Sequence, residues 1–201
     1  DPSDPMVDIT EFQEKDWSTS VFGSELKEII PSNIPEPRGQ GMLTRCFVDA
    51  DHASDTVTRR SRTGFIVFLN NAPIYWSSKR QNSTETSTFG AEFCAMKVAT
   101  EYVRGRRYKL RMMGVPIGGP SYVYGDNMSV IHNTSKPESV LRKKSNSICY
   151  HFVCEAVAMR ECLTCHIPTG KNLADLLTKI LFGSRRRDLV SQVLADIYDY
   201  D

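Results

Sequence analysis

Three short apolar segments restrict the fold more than any other feature of this sequence. Residues 44–51 (TRCFVDAD) and 63–69 (TGFIVFL) are rich in β-branched and aromatic side chains, as strands are, and residues 73–77 (PIYWS) follow after a two-residue loop. The loop, Asn70-Asn71, consists of residues that tolerate the positive φ of a tight hairpin. Both faces of the second segment are apolar, so we expect other elements to cover that strand on both sides.

The rest of the sequence alternates between helical and strand patterns. Apolar residues recur at spacings of three and four over 89–103, which predicts a long helix, and the glycines and prolines of residues 114–120 end it. We expect a fourth strand at 122–124 and a fifth at 163–167. Helices are predicted after Asp126-Asn127, after Ser145 or Asn146 (apolar face Ile148, Phe152, Ala156 and Met159), around 173–180, and at the end (Val190, Val193, Leu194 and Ile197). This order predicts an α/β fold with a mixed α+β sheet.

Charge is distributed unevenly along the chain. The formal net charge is only +1, yet residues 1–40 hold nine acidic and three basic residues, and residues 41–201 hold 22 basic and 15 acidic ones. Residues 1–40, with five prolines, are predicted to be a connector or wrapping arm. Residues 41–182 are predicted to be the folded domain, and residues 183–201 a C-terminal amphipathic helix and tail. The start at Asp1, without an initiator Met, suggests a piece of a longer protein.

Neither the cysteines nor the apolar segments predict a cofactor or a membrane span. Cys162, Cys165 and His166 have the spacing of a covalent haem site, and Cys149 with Cys154 could add zinc ligands. On the predicted strand, however, Cys162 and Cys165 face opposite sides of the sheet, so we expect neither haem nor zinc. Six cysteines without a secretory signal are typical of reduced, intracellular thiols, and no stretch approaches the roughly 18 apolar residues of a membrane span.

Four carboxylates lie at strand ends or helix starts among apolar neighbours: Asp49, Glu92, Asp126 and Asp175. Each one alone could be a helix cap or a solvated strand end, and Asp126 followed by Asn127 is a good cap in its own right. Buried acids are costly unless they are paired or bind a metal, and converging acids raise the pKa of at least one member. Carboxylate oxygens are the ligands that Mg²⁺ takes, so the four acids together predict a magnesium site.

Basic residues form clusters in the domain, which we interpret as phosphate contacts. The densest cluster ends the predicted long helix, and a nucleic-acid backbone explains five bases within residues 104–111 better than solvation alone does. We expect Arg185, Arg186 and Arg187 to form a solvated face, and Trp76 to pack in the core rather than to stack on a base. The predicted phosphate contacts are Lys79, Arg80, Arg104, Arg106, Arg107, Lys109, Lys143 and Lys144.

Seven sequence blocks resemble the polyprotein of copia-type retrotransposons. They are VDAD (48–51), RRSRTGF (59–65), WSSKRQ (76–81), AEF (91–93), YGDN (124–127), YHF (150–152), and HIPT (166–169) taken with ADLLTK (174–179). One block such as GDN would be weak evidence, whereas seven in the family's order and near its spacing are a specific match. They are similar to the C-terminal ribonuclease H domain of the family over about residues 41–182. Residues 1–40 resemble the connector that follows the reverse transcriptase.

The resemblance implies a ribonuclease H-like fold, with a five-stranded mixed sheet flanked by helices. It also implies a metal-dependent endonuclease that hydrolyses the RNA strand of RNA–DNA hybrids during reverse transcription. The catalytic and metal-binding acids of the family correspond to Asp49, Glu92, Asp126 and Asp175, with Asp51 as the alternative on the first strand. Two Mg²⁺ ions are implied, with Mn²⁺ as an alternative. The implied partners are the hybrid and the reverse transcriptase of the same polyprotein, in cytoplasmic virus-like particles with nuclear passage left open.

The sequence departs from related patterns in two places. Gly90 stands where the family has the first Glu of S-T-E-A-E-Y, so Glu92 is taken as the metal ligand. Cellular ribonucleases H carry a His in the loop before the last acid, whereas His166 comes too early here, which predicts slow turnover. A reverse-transcriptase palm is disfavoured because it needs adjacent aspartates. A catalytically inactive remnant that binds nucleic acid or has a structural role stays open as the alternative.

Overall fold

The computed structural model describes residues 15–18, 20–22, 26–141 and 144–194. The strands are β1 (Thr44–Asp51), β2 (Arg62–Leu69), β3 (Ala72–Arg80), β4 (Ser121–Gly125) and β5 (Cys162–His166). The helices are α1 (Thr88–Met112), α2 (Met128–Ser135), α3 (Ser147–Ala158), α4 (Asp175–Thr178) and α5 (Gly183–Ser191), with short 3₁₀ turns at Lys144–Asn146 and Thr169–Lys171. None of the helices in these described ranges is long and apolar enough to cross a membrane.

A five-stranded sheet in the order β3-β2-β1-β4-β5 forms the centre of the domain. The strands β1, β2 and β3 pair antiparallel, whereas β4 pairs parallel with both β1 and β5, which confirms the predicted mixed sheet. The turn between β2 and β3 contains Asn70 at a φ of 52°, a left-handed conformation that asparagine adopts more readily than most residues. Because β1, β4 and β5 are parallel, their carboxyl ends lie along one edge of the sheet.

Helices cover both faces of the sheet. Val48 on β1 packs into a core layer that includes side chains of α1, α2 and α3, and its neighbour Phe47 packs into a second layer that includes Leu189 of α5. The strand β2 contributes buried side chains to both layers, which confirms the expectation from its apolar sequence. Cys162 lies in the first layer and Cys165 in the second, so these two thiols face opposite sides of β5.

The long helix α1 carries Glu92 near its start and the basic cluster of residues 104–111 near its end. The Ser87 hydroxyl caps its N-terminus by accepting a hydrogen bond from the Gly90 N–H at 3.2 Å, and Gly114, at a φ of 70°, follows its C-terminus. At about 1.5 Å per residue, its 25 residues extend about 37 Å. Glu92, near the start, is therefore about 18 Å or more along the helix from the basic cluster of residues 104–111.

The described part of the arm (residues 1–40) lies against α1. The Arg38 N–H donates to the Gly114 carbonyl at 3.0 Å, and the Glu28 carboxylate accepts hydrogen bonds from Arg107 and Arg111. The hydrogen bonds of Glu28 with Arg107 and Arg111 join residues that are 79 and 83 positions apart in the sequence. This segment is therefore held on the domain surface by specific contacts, and the domain boundaries at residues 40 and 182 remain predictions.

Two expectations about side-chain placement are wrong. Ile148 is 83% exposed, because α3 buries the face that carries Tyr150, Val153, Cys154 and Val157. Trp76 is 63% exposed, because β3 is an edge strand of the sheet. Within the described residues α5 ends at Ser191, before Val193 and Leu194, and the expectation for Ile197 stays a prediction because it lies outside them.

Candidate active site

Three of the predicted acids converge at the carboxyl edge of the sheet. Asp49 lies on β1, Asp126 directly follows β4, which is the parallel neighbour of β1, and Glu92 lies on α1, which packs across β1. One carboxylate oxygen of each residue lies within 4.8 Å of those of the other two. Asp49 is fully buried and Glu92 nearly so, whereas Asp126 is partly exposed. The fold therefore brings together three oxygen ligands that are separated in sequence.

The electrostatics of this cluster favour a cation. Burial raises the pKa of Glu92 to about 9, and the negative charges of Asp49 and Asp126 act in the same direction. Lys179 partly opposes this shift. A divalent cation among the three oxygens would relieve both the burial of charge and the mutual repulsion, so the donor set fits a hard metal ion such as Mg²⁺.

Asp175 lies beside this cluster and is connected to it through Lys179. The Lys179 ammonium contacts an Asp175 carboxylate oxygen at 2.6 Å and an Asp49 carboxylate oxygen at 3.2 Å. Burial raises the pKa of Asp175, and the charge of Asp49 adds to that effect. Although burial disfavours the charge of Lys179, the two acids raise its pKa above the ordinary value. The four predicted acids thus form one electrostatic network, in which a lysine joins the fourth to the first.

Further contacts with these acids come from residues that the sequence does not predict to lie at the site. The Thr178 hydroxyl donates to Asp49, and the Arg185 guanidinium donates to Asp175 and to the Thr169 carbonyl. The prediction that Arg185 belongs to a solvated face is therefore wrong, because α5 directs it toward a buried carboxylate. The spacing of four between Asp175 and Lys179 on a helix is a signal that could have predicted that pair.

A buried asparagine and a glycine position the segment that carries Asp175. The Asn172 side chain donates to the Val48 carbonyl at 2.9 Å and accepts from the Ala174 N–H at 3.1 Å, which ties the start of α4 to β1. Gly64, directly opposite Asp49 in the β1–β2 ladder, lies against α4. A Cβ at position 64 would lie 2.6 Å from the Thr178 methyl group, so only glycine lets α4 approach β2 this closely.

Asp51 and His166 are the other residues that the sequence suggests for this site, and His52 follows Asp51 directly. Asp51 ends β1 and, within the described residues, does not belong to the group that could hold a metal ion. The His52 ring contacts the Glu85 carbonyl at 3.0 Å. His166 is the last residue of β5, where it pairs with Gly125, and it lines a separate cavity beside α2.

The basic residues predicted to contact phosphate fall into two groups. At the far end of α1, Arg107 is 2% exposed and bound to Glu28, which contradicts its predicted role because no surface is left for a phosphate. Arg104 pairs with Glu161, and Arg106 donates to the Tyr102 hydroxyl, whereas Lys109 is exposed. The other group, Lys79, Arg80 and Lys144, is exposed, and Arg80 ends β3 with an ion pair to Asp55 at 2.7 Å. Lys143 lies outside the described residues.

Sequence comparison and structure comparison with known proteins identify the family and the fold of this chain independently. The chain is 31% identical over 144 residues to the retrovirus-related Pol polyprotein from transposon RE2 of Arabidopsis thaliana, covering 72% of this chain and 10% of that polyprotein. It is 30% identical over 145 residues to the corresponding polyprotein from transposon TNT 1-94 of Nicotiana tabacum, covering 71% of this chain and 11% of the polyprotein. The chain thus spans about a tenth of the length of these relatives. No family model matches it.

Solved structures with a similar fold are ribonucleases H. Ribonuclease H1 from Halobacterium salinarum superposes with a TM-score of 0.51 at 12% identity, covering 67% of this chain and 92% of that one. LC11 ribonuclease H1, solved in complex with an RNA/DNA hybrid, gives a TM-score of 0.52 at 17% identity and the same coverage. The chain therefore belongs to the family of retrovirus-related Pol polyproteins from copia-type transposons, and it has the ribonuclease H fold.

Proposed function

We propose that this domain is a metal-dependent endonuclease that hydrolyses the RNA strand of RNA–DNA hybrids during retrotransposon reverse transcription. The observation that carries the proposal is the convergence of Asp49, Glu92 and Asp126 at the carboxyl edge of the sheet, with carboxylate oxygens within 4.8 Å of one another. Acids brought this close in a buried site are costly without a cation. Their separate positions, on β1, on α1 and directly after β4, support a functional rather than a local structural reason for the cluster.

Two Mg²⁺ ions, or Mn²⁺ in their place, would be held by Asp49, Glu92, Asp126 and Asp175. Bound divalent ions supply positive charge that activates a water and stabilises the leaving 3′-oxygen of a phosphodiester. The carboxylates of this chain would hold those ions in place and would form no covalent bond to the substrate. To hold a cation, Glu92 would have to lose the proton that its raised pKa retains near neutral pH.

Two cationic side chains of this domain contact the fourth acid, Asp175, and would compete with a metal ion for its carboxylate. Lys179 and Arg185 neutralise Asp175, which is fully buried. For Asp175 to accept a metal ion, at least one of these contacts has to loosen. Both side chains are partly exposed, at 33% and 41%, so each can move toward solvent without unfolding α4 or α5.

The hybrid would approach along the edge where β1 and β3 end. Arg80 is opposite Arg62 in the ladder, and Arg62 is opposite Asp51, so bases and acids share this edge. We assign phosphate contacts to Lys79, Arg80, Lys143 and Lys144, with Lys109 as a contact farther along α1. Selectivity for the hybrid would come from contacts to 2′-hydroxyls and from groove shape rather than from base sequence. The partner would be the reverse transcriptase of the same polyprotein, in cytoplasmic particles with nuclear passage left open.

The test is cleavage of an end-labelled RNA annealed to DNA, with Mg²⁺ or with chelator. We expect cleavage only with metal, and a loss of about 100-fold or more in Asp126→Asn. This variant should fold, because the N-cap of α2 is Asn127, whose side chain accepts from the Ser129 N–H at 3.1 Å. Asp188→Asn, at an exposed position of α5, is the control and should retain activity.

Cleavage that survives Asp126→Asn, or that never appears in the parent protein, would contradict the proposal. Binding of the hybrid without cleavage would favour an inactive remnant that binds nucleic acid. Single-turnover and multiple-turnover rates test a separate expectation, that turnover is slow because Thr169–Lys171 supplies no histidine.

A further inference from the structure

Two cysteines face each other across the packed helices α1 and α3, outside the acidic site. The sulfurs of Cys94 on α1 and Cys149 on α3 are 3.9 Å apart, and both side chains are partly exposed. The other four cysteines, Cys46, Cys154, Cys162 and Cys165, are buried. Cys94 and Cys149 are therefore a close pair of thiols that a small oxidant can reach.

We propose that Cys94 and Cys149 are a site of reversible oxidation, which a low-molecular-weight disulfide such as glutathione disulfide converts to an intramolecular disulfide. A disulfide needs an S–S distance of about 2.05 Å, so the two sulfurs must approach each other by about 2 Å. Side-chain rotation and a small shift between α1 and α3 can supply that movement. The inference stands apart from nuclease activity and from metal binding.

The surroundings of the pair give the two thiols different roles. Contact with the Cys94 thiol lowers the pKa of Cys149 to about 7, and the nearby positive charge of Lys97 adds to the effect. The Cys94 thiol instead lies 3.5 Å from the Glu85 carboxylate, to which it can donate a hydrogen bond. Cys149 is therefore the nucleophile and Cys94 the resolving thiol.

The buried cysteines differ from Cys149 in that their pKa values are raised. Burial raises the pKa of Cys154 and of Cys162 to about 12, and it also raises the pKa of Cys46. Thiols in such environments are inert toward disulfide exchange because little thiolate is present. The chemistry therefore favours one specific pair rather than general oxidation.

The proposed reaction has two exchange steps. The Cys149 thiolate attacks one sulfur of glutathione disulfide, forming a mixed disulfide and releasing one glutathione thiolate. Cys94 then loses its proton to Glu85 or to water and attacks the Cys149 sulfur, which releases the second glutathione. Two protein thiols are oxidised, and one glutathione disulfide is reduced to two glutathione molecules.

The disulfide would stabilise the fold and restrain the start of α1. It would connect residues 55 positions apart, and a link that closes a long loop restricts the unfolded chain. Cys94 is two residues after Glu92, so the link would also fix the turn of α1 that carries this acid. We expect Tm to rise by about 5 °C or more on oxidation and to return on reduction.

The experiment treats the full chain with glutathione disulfide or with dithiothreitol, followed by alkylation, peptide mapping by mass spectrometry and thermal unfolding. We expect a linked peptide containing Cys94 and Cys149, and a rise in Tm that Cys94→Ser and Cys149→Ser abolish. Cys94→Ser should instead accumulate glutathione on Cys149. The matched control is Cys154→Ser, on the same helix as Cys149, which should retain the link.

Three outcomes would overturn the inference. They are the absence of the linked peptide in the oxidised parent, a link between other cysteines, and an unchanged rise in Tm in Cys149→Ser. The peptide map of the parent protein decides the question even where a variant fails to fold. Because no metal and no nucleic acid is used, the result is independent of whether the domain cleaves RNA.

Discussion

Glu92 combines burial with two like charges, and its protonation links pH to stability. Its pKa in the folded protein is about 9, against an ordinary value of 4.5, and burial is the main cause. Between these values the folded protein holds a proton that the unfolded chain has released. Stability of the metal-free protein should therefore fall as pH rises from about 5 to about 9, and urea midpoints measured in chelator check this.

The variant Glu92→Gln isolates this contribution. Since glutamine does not titrate, the decline in urea midpoint with pH should be smaller in the variant than in the parent. Mg²⁺ should also flatten the decline in the parent, because it binds the deprotonated carboxylate. Identical slopes for parent and variant in chelator would show that Glu92 is not the titrating group.

Lys179 provides a second prediction about a single residue. Its ammonium is shared by two fully buried carboxylates, those of Asp49 and Asp175, so Lys179→Met should leave both without this counter-charge. We expect a loss of about 2 kcal/mol in the free energy of unfolding in chelator. Mg²⁺ should stabilise the variant more than the parent, because the metal no longer competes with the ammonium.

Urea denaturation with and without Mg²⁺ measures both effects. Lys171→Met is the control, since Lys171 is exposed in the turn before α4 and should change neither value. Equal stabilisation of the parent and Lys179→Met by Mg²⁺ would show that Lys179 does not compete with the metal.

The site residues also show which features of the site can be predicted from the sequence and which cannot. Asp49, Glu92, Asp126 and Asp175 could be predicted because acids among apolar neighbours are conspicuous in any sequence. The contacts of Thr178 and Lys179 with Asp49 could not, since they join residues 129 and 130 positions apart and depend on the docking of α4 against β1 and β2. Arg185 was misassigned for the same reason.

At the scale of elements, strands were easier to predict than helix faces. β1 was predicted with its observed bounds, because its β-branched and aromatic residues are bounded by polar turns. In α3, apolar residues surround the helix, so its sequence does not reveal that Cys154 is buried and Ile148 exposed. Likewise, the exposure of Trp76 follows from the position of β3 in the sheet, which local sequence does not contain.

The close packing of α4 against β2 gives a prediction at this scale. In Gly64→Ala, the new Cβ would lie 2.6 Å from the Thr178 methyl group and 2.9 Å from the Leu177 Cβ. We expect α4 to be displaced, the free energy of unfolding to fall by about 1–3 kcal/mol, and cleavage to decrease because Asp175 begins α4. Urea denaturation and the hybrid cleavage assay measure these changes.

The matched control is Gly105→Ala on α1. Nothing lies within 4 Å of a Cβ at position 105, and alanine is the better helix former, so this variant should be as stable as the parent or up to about 1 kcal/mol more stable. Equal stability of Gly64→Ala and the parent would mean that α4 adapts to the added methyl group.

At the scale of the whole molecule, the distribution of charge matters more than its sum. The acidic arm and the basic domain nearly cancel in sequence, and the structure brings part of this cancellation into direct contact. The basic cluster at residues 104–111 was interpreted as a phosphate track because the sequence does not show that the arm folds back onto it. Arg107 and Arg111 instead bind Glu28, so the arm takes up charges that the sequence assigned to nucleic acid.

The attachment of the arm can be tested through Glu28. Arg107 is 2% exposed, and its remaining hydrogen bonds go to the Gly119 carbonyl and the Ser121 hydroxyl, which carry no charge. Glu28→Gln would remove the ion pair of this buried guanidinium and leave it only the longer-range charge of Glu161, which should cost about 3 kcal/mol of unfolding free energy. It should also speed proteolysis within residues 1–40, while Glu36→Gln, at an exposed position of the same segment, should change neither. Unchanged stability with faster proteolysis would mean that the arm detaches and that Arg107 becomes hydrated; unchanged values for both would mean that Glu28 does not hold the arm.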